Sequence, residues 1–394
     1  MKRNTSLTAL YSLVQSVFWM SICISISFAA VYLQELGYSN TQLGLIMAAG
    51  NLLGALVGPA LSSRIDSDRR VTAARCIPPV LAVQALSLLL LILFPVKGAA
   101  TAISFTVFLA FCLALNSPIL KLYVDADHSG ARLNFSFARG IGSLAFVLLS
   151  AALGPLVARF SARILPFVGL ALCVSQFFLC RALTRSLPAP VEIAIETRRS
   201  SPMRAFVRRY PRFCTVLLGM VFIFFAHNAF ANFIINVTRN VGGDTETMGY
   251  LTAFMATTEI PVMLLFHRVR GRRSSAFFLR VSCVFFFLKL LAIALAPNVP
   301  LLFAALLLQG PSFGLYAACS VDYADEAVPL EDSAKAQSLS FSMTTVGSLF
   351  ASAVGGLLYD HMSVTATLEV SAAACFVGAA IALLGLREEK ALRV

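Results

Sequence analysis

Residues 71–95 read VTAARCIPPVLAVQALSLLLLILFP, and from Ala85 to Phe94 only Ser87 is polar. A helix in water needs a polar stripe along one side, and this one is apolar all round. About twenty such residues, each rising roughly 1.5 Å, cross a hydrocarbon core of roughly 30 Å. The stretch therefore predicts a membrane span. Cys283–Leu288 repeats the pattern around three consecutive phenylalanines.

Working outward, apolar blocks of similar length predict an all-α membrane protein with twelve transmembrane helices. The spans fall near 8–33, 40–62, 71–95, 99–123, 133–158, 163–184, 211–237, 246–268, 275–296, 299–322, 334–359 and 364–386. Composition agrees: 58% of the 394 residues are hydrophobic and 13% are charged, against about 25% charged in soluble domains. The run after Lys2 and Arg3 imitates a signal peptide but continues to about Tyr32 without a small-residue cleavage site, so it reads as the first span.

A net charge of +12 would suit nucleic acid, yet its distribution is a topology signal. If the spans alternate from a cytoplasmic N-terminus, 25 of the 31 basic residues lie in inside segments and four, Lys97, Arg159, Arg163 and Arg239, lie outside. Arg139 and Lys289 remain within the membrane. This predicts a multi-pass protein of the cell's inner (cytoplasmic) membrane with both termini cytoplasmic, whose macromolecular surroundings are lipid bilayer and not nucleic acid.

The nine cysteines lie mostly inside apolar runs, without CxxC pairs or clustered histidines, and read as small core hydrophobes. No metal and no cofactor is expected. No phosphate-cradling glycine loop, zinc motif or nucleophile elbow occurs, so the chain reads as no enzyme. The loops are too short for an ATPase domain, and a gradient must drive any transport.

Residues 185–210 form the one long polar stretch, rich in arginine and carrying Pro188, Pro190 and Pro202. It divides the chain into an N-terminal six-helix half, 1–184, and a C-terminal six-helix half, 211–394. The halves carry ordered traces of repetition. Ser117-Pro118-x-x-x-Leu122-Tyr123 recurs as Gly310-Pro311-x-x-x-Leu315-Tyr316, Gly142-Ser143-Leu144 recurs as Gly347-Ser348-Leu349, and Gly44 corresponds to Gly249. Internal repeats of this kind build rocking domains around a central site in many transporters.

Pro59-x-x-Ser62-x-x-x-Asp66-x-x-Arg69-Arg70, after the second span, resembles the major facilitator signature Gly-x-x-x-Asp-(Arg/Lys)-x-Gly-(Arg/Lys)-(Arg/Lys), with Ser62 and Arg69 at its glycine positions. Arg270-Gly271-Arg272-Arg273, after the eighth, resembles its second copy without the Asp. Asp66, Arg69, Arg70, Arg272 and Arg273 are thereby implied as the gating-loop residues. Asn134-Phe135-x-Phe137-x-Arg139 with Gly142, then Phe230-Ala231-Asn232-Phe233, then Met263 through Lys289, and the tenth span through Tyr323 look like the lactose permease branch of oligosaccharide/proton symporters.

That resemblance implies a two-domain major facilitator fold, a monomer, and a set of site positions. Arg139 matches the arginine that grips sugar hydroxyls, Lys289 stands where the ninth-helix arginine does, and Phe146 stands where the sugar-stacking tryptophan does. Lys121 replaces the carboxylate that pairs with that arginine, while Gln309 and Ser312 replace the histidine and carboxylate of the proton site. Glu259 falls about one turn after the family's eighth-helix glutamate.

Charges inside a bilayer persist when they face a cavity, a partner or a pathway. Arg139, Phe146, Lys121, Lys289 and Asn232 are the expected substrate-binding residues, and Glu259 and His227 the expected proton-coupling residues. Arg139 and Lys289 also have a plainer reading, as cations snorkelling toward the two membrane faces. His227, among Asn228, Asn232 and Asn236, also reads as an interhelical hydrogen-bonding residue. Asp322, Asp325 and Glu326 read as a solvated helix end.

Three functions fit these residues. The first is a secondary active transporter that moves a small polar solute, such as a sugar, glycoside, nucleoside or organic acid, by alternating access with proton symport. The second is an exporter of amphipathic compounds, motivated by the missing carboxylate and by Phe146, Phe224 and Phe225. The third is a non-transporting membrane sensor.

Overall fold

The computed structural model describes residues 5–67, 72–128, 133–187, 203–271 and 273–386. Among them every regular element is helical. Twelve helices among the described residues are long and apolar enough to cross a membrane: Thr5–Ser27 (span 1), Asn40–Ile65 (span 2), Ala73–Leu93 (span 3), Ala99–Ala126 (span 4), Phe135–Phe160 (span 5), Ala162–Ser186 (span 6), Pro211–Ala231 (span 7), Thr245–Phe266 (span 8), Ser275–Ala294 (span 9), Val299–Ala327 (span 10), Glu331–His361 (span 11) and Val364–Gly385 (span 12). Continuous helix is what a bilayer demands, since no water is present there to pair backbone N–H and C=O groups.

Hydroxyls follow the same rule. Ser12 donates to the Thr8 carbonyl at 2.7 Å, Ser87 to Val83 at 2.9 Å and Ser371 to Thr367 at 2.8 Å, so each finds its acceptor one turn back on its own helix. Small residues set the closest approaches. A Cβ on Gly219 would lie 2.6 Å from the Gly378 carbonyl oxygen, so spans 7 and 12 meet backbone to backbone.

Four spans predicted as single helices are interrupted among the described residues, span 4 at Leu115. Span 1 ends in a π turn, Cys23–Ser27, and helix resumes as Ala29–Glu35. Span 7 stops at Ala231, and a short helix, Ile234–Asn240, follows. Span 10 carries a π turn at Gly310–Gly314, and the Ser312 carbonyl within it takes the Ser282 hydroxyl of span 9 at 2.7 Å. Such turns recur where a helix is shaped for function.

Contacts within the chain define two compact units, Met1–Ile195 with Asp244–Ala253, and Glu196–Gly243 with Phe254–Val394. The opening turns of span 8 thus group with the first unit. The cause is local: a Cβ on Gly249 would lie 2.7 Å from the Gly154 Cα, and Ser150 Oγ donates to the Gly249 carbonyl at 3.2 Å. The end of Asn40–Ser67 holds Asp66. Arg69, Arg70 and Arg272 lie outside the described residues.

Candidate functional site

Four spans of the second unit bring a chain of polar side chains into an apolar interior. Lys289 of span 9 is 0% exposed. Its Nζ lies 3.0 Å from His227 Nδ1 of span 7 and donates to Gln309 Oε1 of span 10 at 2.8 Å. Gln309 Nε2 in turn donates to Glu259 Oε1 of span 8 at 2.8 Å. The order is His227, Lys289, Gln309, Glu259.

Hydrogen-bond logic assigns the orientation of each group. A lysine ammonium has only donors, so Nδ1 of His227 accepts and its Nε2 carries the hydrogen. A carboxylate has only acceptors, so the Gln309 amide faces Glu259 with nitrogen and Lys289 with oxygen. The amide therefore bridges a buried ammonium and a half-buried carboxylate, and the two charges balance through it. Apolar walls close around the pair: the Phe286 ring centroid is 4.8 Å from Lys289 Nζ, and the His227 ring sits 5.3 Å from Phe313 and 5.6 Å from Phe286.

Local sequence explains the reach of Glu259. A Cβ on Gly310 would lie 2.7 Å from the Thr258 carbonyl oxygen, and one on Gly314 would lie 3.1 Å from the Glu259 Cα. Glycines one turn apart on span 10 let the backbone of span 8 come in close enough for its carboxylate to meet an amide one residue before the π turn.

A second constellation occupies the first unit. The Arg139 guanidinium lies over the Trp19 ring at 3.7 Å and its Nη1 donates to Ser143 Oγ at 2.6 Å. Trp19 Nε1 donates to Gln15 Oε1 at 3.2 Å, and Gln15 Nε2 donates to Tyr11 Oη at 2.8 Å. A Cβ on Gly142 would fall 2.8 Å from Trp19 Cδ1, so glycine there lets the indole lie flush against span 5. Lys121 Nζ sits 3.9 Å from Asp125 Oδ1, one turn along span 4.

Some expected residues come together and others do not. Glu259, His227 and Lys289 share one network, joined by Gln309, which the sequence presented as a lost proton group because an amide does not titrate. Neither membrane cation snorkels: Lys289 points to His227 and Gln309, and Arg139 points to Ser143, a turn further into its span. Asn232 is buried and donates to Ser352 Oγ at 3.0 Å, tying span 7 to span 11. Phe146 is half-buried, two turns beyond Arg139 on span 5. An indole, that of Trp19 on span 1, the one tryptophan of the chain, packs against Arg139.

The acidic end of span 10 is more than a solvated terminus. Arg270 pairs with both Asp322 and Glu326, and Glu326 also accepts from the Ser275 backbone N–H at 2.9 Å and its hydroxyl at 3.0 Å. The carboxylate missing from the second basic segment is supplied by another span. Arg273 lies over the Phe277 ring at 4.6 Å.

Twelve spans with paired charges in their interior define a multi-pass membrane transporter. The chain belongs to the MFS_1 like family of major facilitator transporters, whose family model matches residues 7–370. A Deinococcus radiodurans protein named for sugar efflux is 27% identical over 175 residues, which is 44% of this chain and 42% of that protein's length. An Escherichia coli protein named for the transport of 3-phenylpropionic acid is 28% identical over 279 residues, 68% of this chain and 69% of that one. The crystal structure of a point mutant of the nucleoside transporter NupG shares the fold, with a TM-score of 0.81 at 13% identity, covering 97% of this chain and 99% of that one.

Proposed function

We propose that the protein carries a small polar solute, a sugar, nucleoside or organic acid, across the cell's inner membrane by alternating access, with protons as the coupling ion. The observation that carries this reading is the bridge from buried Lys289 through buried Gln309 to half-buried Glu259. A membrane-embedded carboxylate and ammonium held in mutual balance can exchange a proton only together with a change in the other partner, which is the property that coupling requires. Arg139, with Trp19 beneath it, is the substrate anchor in this reading, joined by Phe146 and Lys121. Relatives named for sugar and for an aromatic acid support this choice of solutes.

The test is flux into proteoliposomes of purified protein with labelled sugars, nucleosides and aromatic acids, with and without a proton gradient. Uptake of one class above its equilibrium level when the gradient is imposed is expected. Exchange of lipophilic cations alone would favour the exporter, and no flux of any solute would favour the sensor.

Orientation follows from the 25-to-4 bias of basic residues. A cysteine introduced at Asn298, ahead of span 10, is expected to react with an impermeant maleimide added outside intact cells. Labelling only after the cells are opened reverses the topology.

A further inference from the structure

The chain enters span 7 through a seven-residue helix, Met203–Arg209, whose two sides differ sharply. Phe206 is fully buried among Phe213 and Leu217 of span 7, Ala324 and Val328 at the end of span 10, and Ala336 of span 11. Tyr210 Oη donates to Asp332 Oδ2 at 3.0 Å, and Arg209 Nη1 reaches Glu331 Oε1 at 3.5 Å. The helix is therefore pinned at the membrane ends of spans 7, 10 and 11, and Tyr210 alone separates it from Pro211, the first residue of span 7.

Away from Phe206 the surface is basic on the opposite side and apolar on one flank. Arg204 and Arg208 are exposed one turn apart, and neither meets a carboxylate among the described residues. Met203 is 50% exposed and Val207 47%, also one turn apart and alongside them. Like charges at this spacing repel and weaken a helix unless an anion lies between them. Apolar side chains beside them would have no reason to face bulk water. Arginine and apolar residues alternating on a helix at the end of a span match the boundary where headgroup phosphates meet acyl chains.

We infer that Met203–Arg209 is a docking surface for anionic phospholipid, with Arg204 and Arg208 on the headgroup phosphates and Met203 and Val207 against the upper acyl chain. The lipid binds on the outer side of a helix whose inner side wedges spans 7, 10 and 11, so its occupancy stabilises that end of the second unit.

The experiment uses the whole purified chain in neutral detergent. Binding is read as the rise in thermal-unfolding midpoint during titration with short-chain phosphatidylglycerol, with short-chain phosphatidylcholine and inorganic phosphate as separate arms. Phosphatidylglycerol alone is expected to raise the midpoint. R204Q/R208Q is expected to bind it about thirty-fold more weakly, the worth of two surface arginines at about 1 kcal/mol each, while its midpoint without lipid stays parental. Three results overturn the inference: an equal shift with phosphatidylcholine, an equal shift with inorganic phosphate, or a double variant that keeps parental phosphatidylglycerol affinity. Should R204Q/R208Q fail to fold, R204K/R208K, which keeps both charges, must fold and retain the preference for phosphatidylglycerol. Solute flux in purely zwitterionic proteoliposomes should be unchanged by the substitutions, which separates this surface from the transport site.

Discussion

Glu259→Gln is expected to abolish gradient-driven accumulation of substrate while counterflow, which moves no net proton, continues. The substituted amide still accepts from Gln309 Nε2, so the geometry of the bridge survives and only the charge is lost. What then remains is an ammonium buried at Lys289 without its counter-charge, a situation that destabilises buried pairs by about 3–5 kcal/mol when one member is removed. The single variant should therefore also unfold at lower temperature. Lys289→Met alone should also lower the unfolding temperature, by removing the positive charge that balances Glu259 through Gln309. Combining the two removes both charges, so the double variant should regain stability relative to the sum of the singles, with an interaction of about 0.5–3 kcal/mol transmitted through Gln309. Accumulation must stay absent in the double variant, since restoring neutrality restores the fold and not the proton. Parental accumulation in Glu259→Gln ends the coupling role of this residue, and strictly additive stabilities end the claim that Gln309 links the two charges.

The global fold was legible because a bilayer writes length, hydrophobicity and charge bias directly into sequence. Twelve apolar blocks became twelve spans, displaced by a few residues at their ends. The interruptions at Cys23–Ser27 and Gly310–Gly314 were not legible; in the second, a carbonyl takes a hydroxyl from span 9. Hydropathy along a single helix carries no record of that. For the site, the rule that intramembrane charges have a purpose drew attention to Lys289, Glu259 and Arg139, and the geometry then gave each of them a partner. It passed over Gln15, and Gln309 entered only as a lost proton group, since an uncharged amide in an apolar run raises no alarm although each here joins two other side chains. It also gave no hint of the partner of Asp322 and Glu326, since Arg270 lies more than fifty positions away in sequence. The indole that packs on Arg139 comes from another helix, span 1, which a reading of span 5 alone does not reach.

That indole makes the role of Arg139 measurable. Trp19 is the one tryptophan in the chain and lies 3.7 Å beneath the guanidinium, so its emission reports directly on the surroundings of this arginine. A substrate carboxylate or pair of hydroxyls engaging the guanidinium would shift it, and titration of that signal measures affinity. Arg139→Lys keeps the positive charge but removes the plane that stacks on Trp19 and the fork that recognises paired oxygens. A charge-assisted hydrogen bond contributes about 1.5–3 kcal/mol, so loss of fork geometry is expected to weaken substrate binding about tenfold to a hundredfold, and Arg139→Ala at least as much. Lys121 changes which substrates suffer. Its ammonium has Asp125 one turn away at 3.9 Å, with the side chains 25% and 31% exposed, a pairing of modest strength. An acidic solute should lose more affinity than a neutral one when the charge is removed in Arg139→Ala. Because Ser143 and Trp19 also hold the arginine, expression and thermal midpoint have to be recorded beside affinity, and both should remain near parental in Arg139→Lys. Near-parental transport by both Arg139→Lys and Arg139→Ala, with Trp19 emission unmoved by substrate, would reduce the residue to a structural cation stacked against span 1.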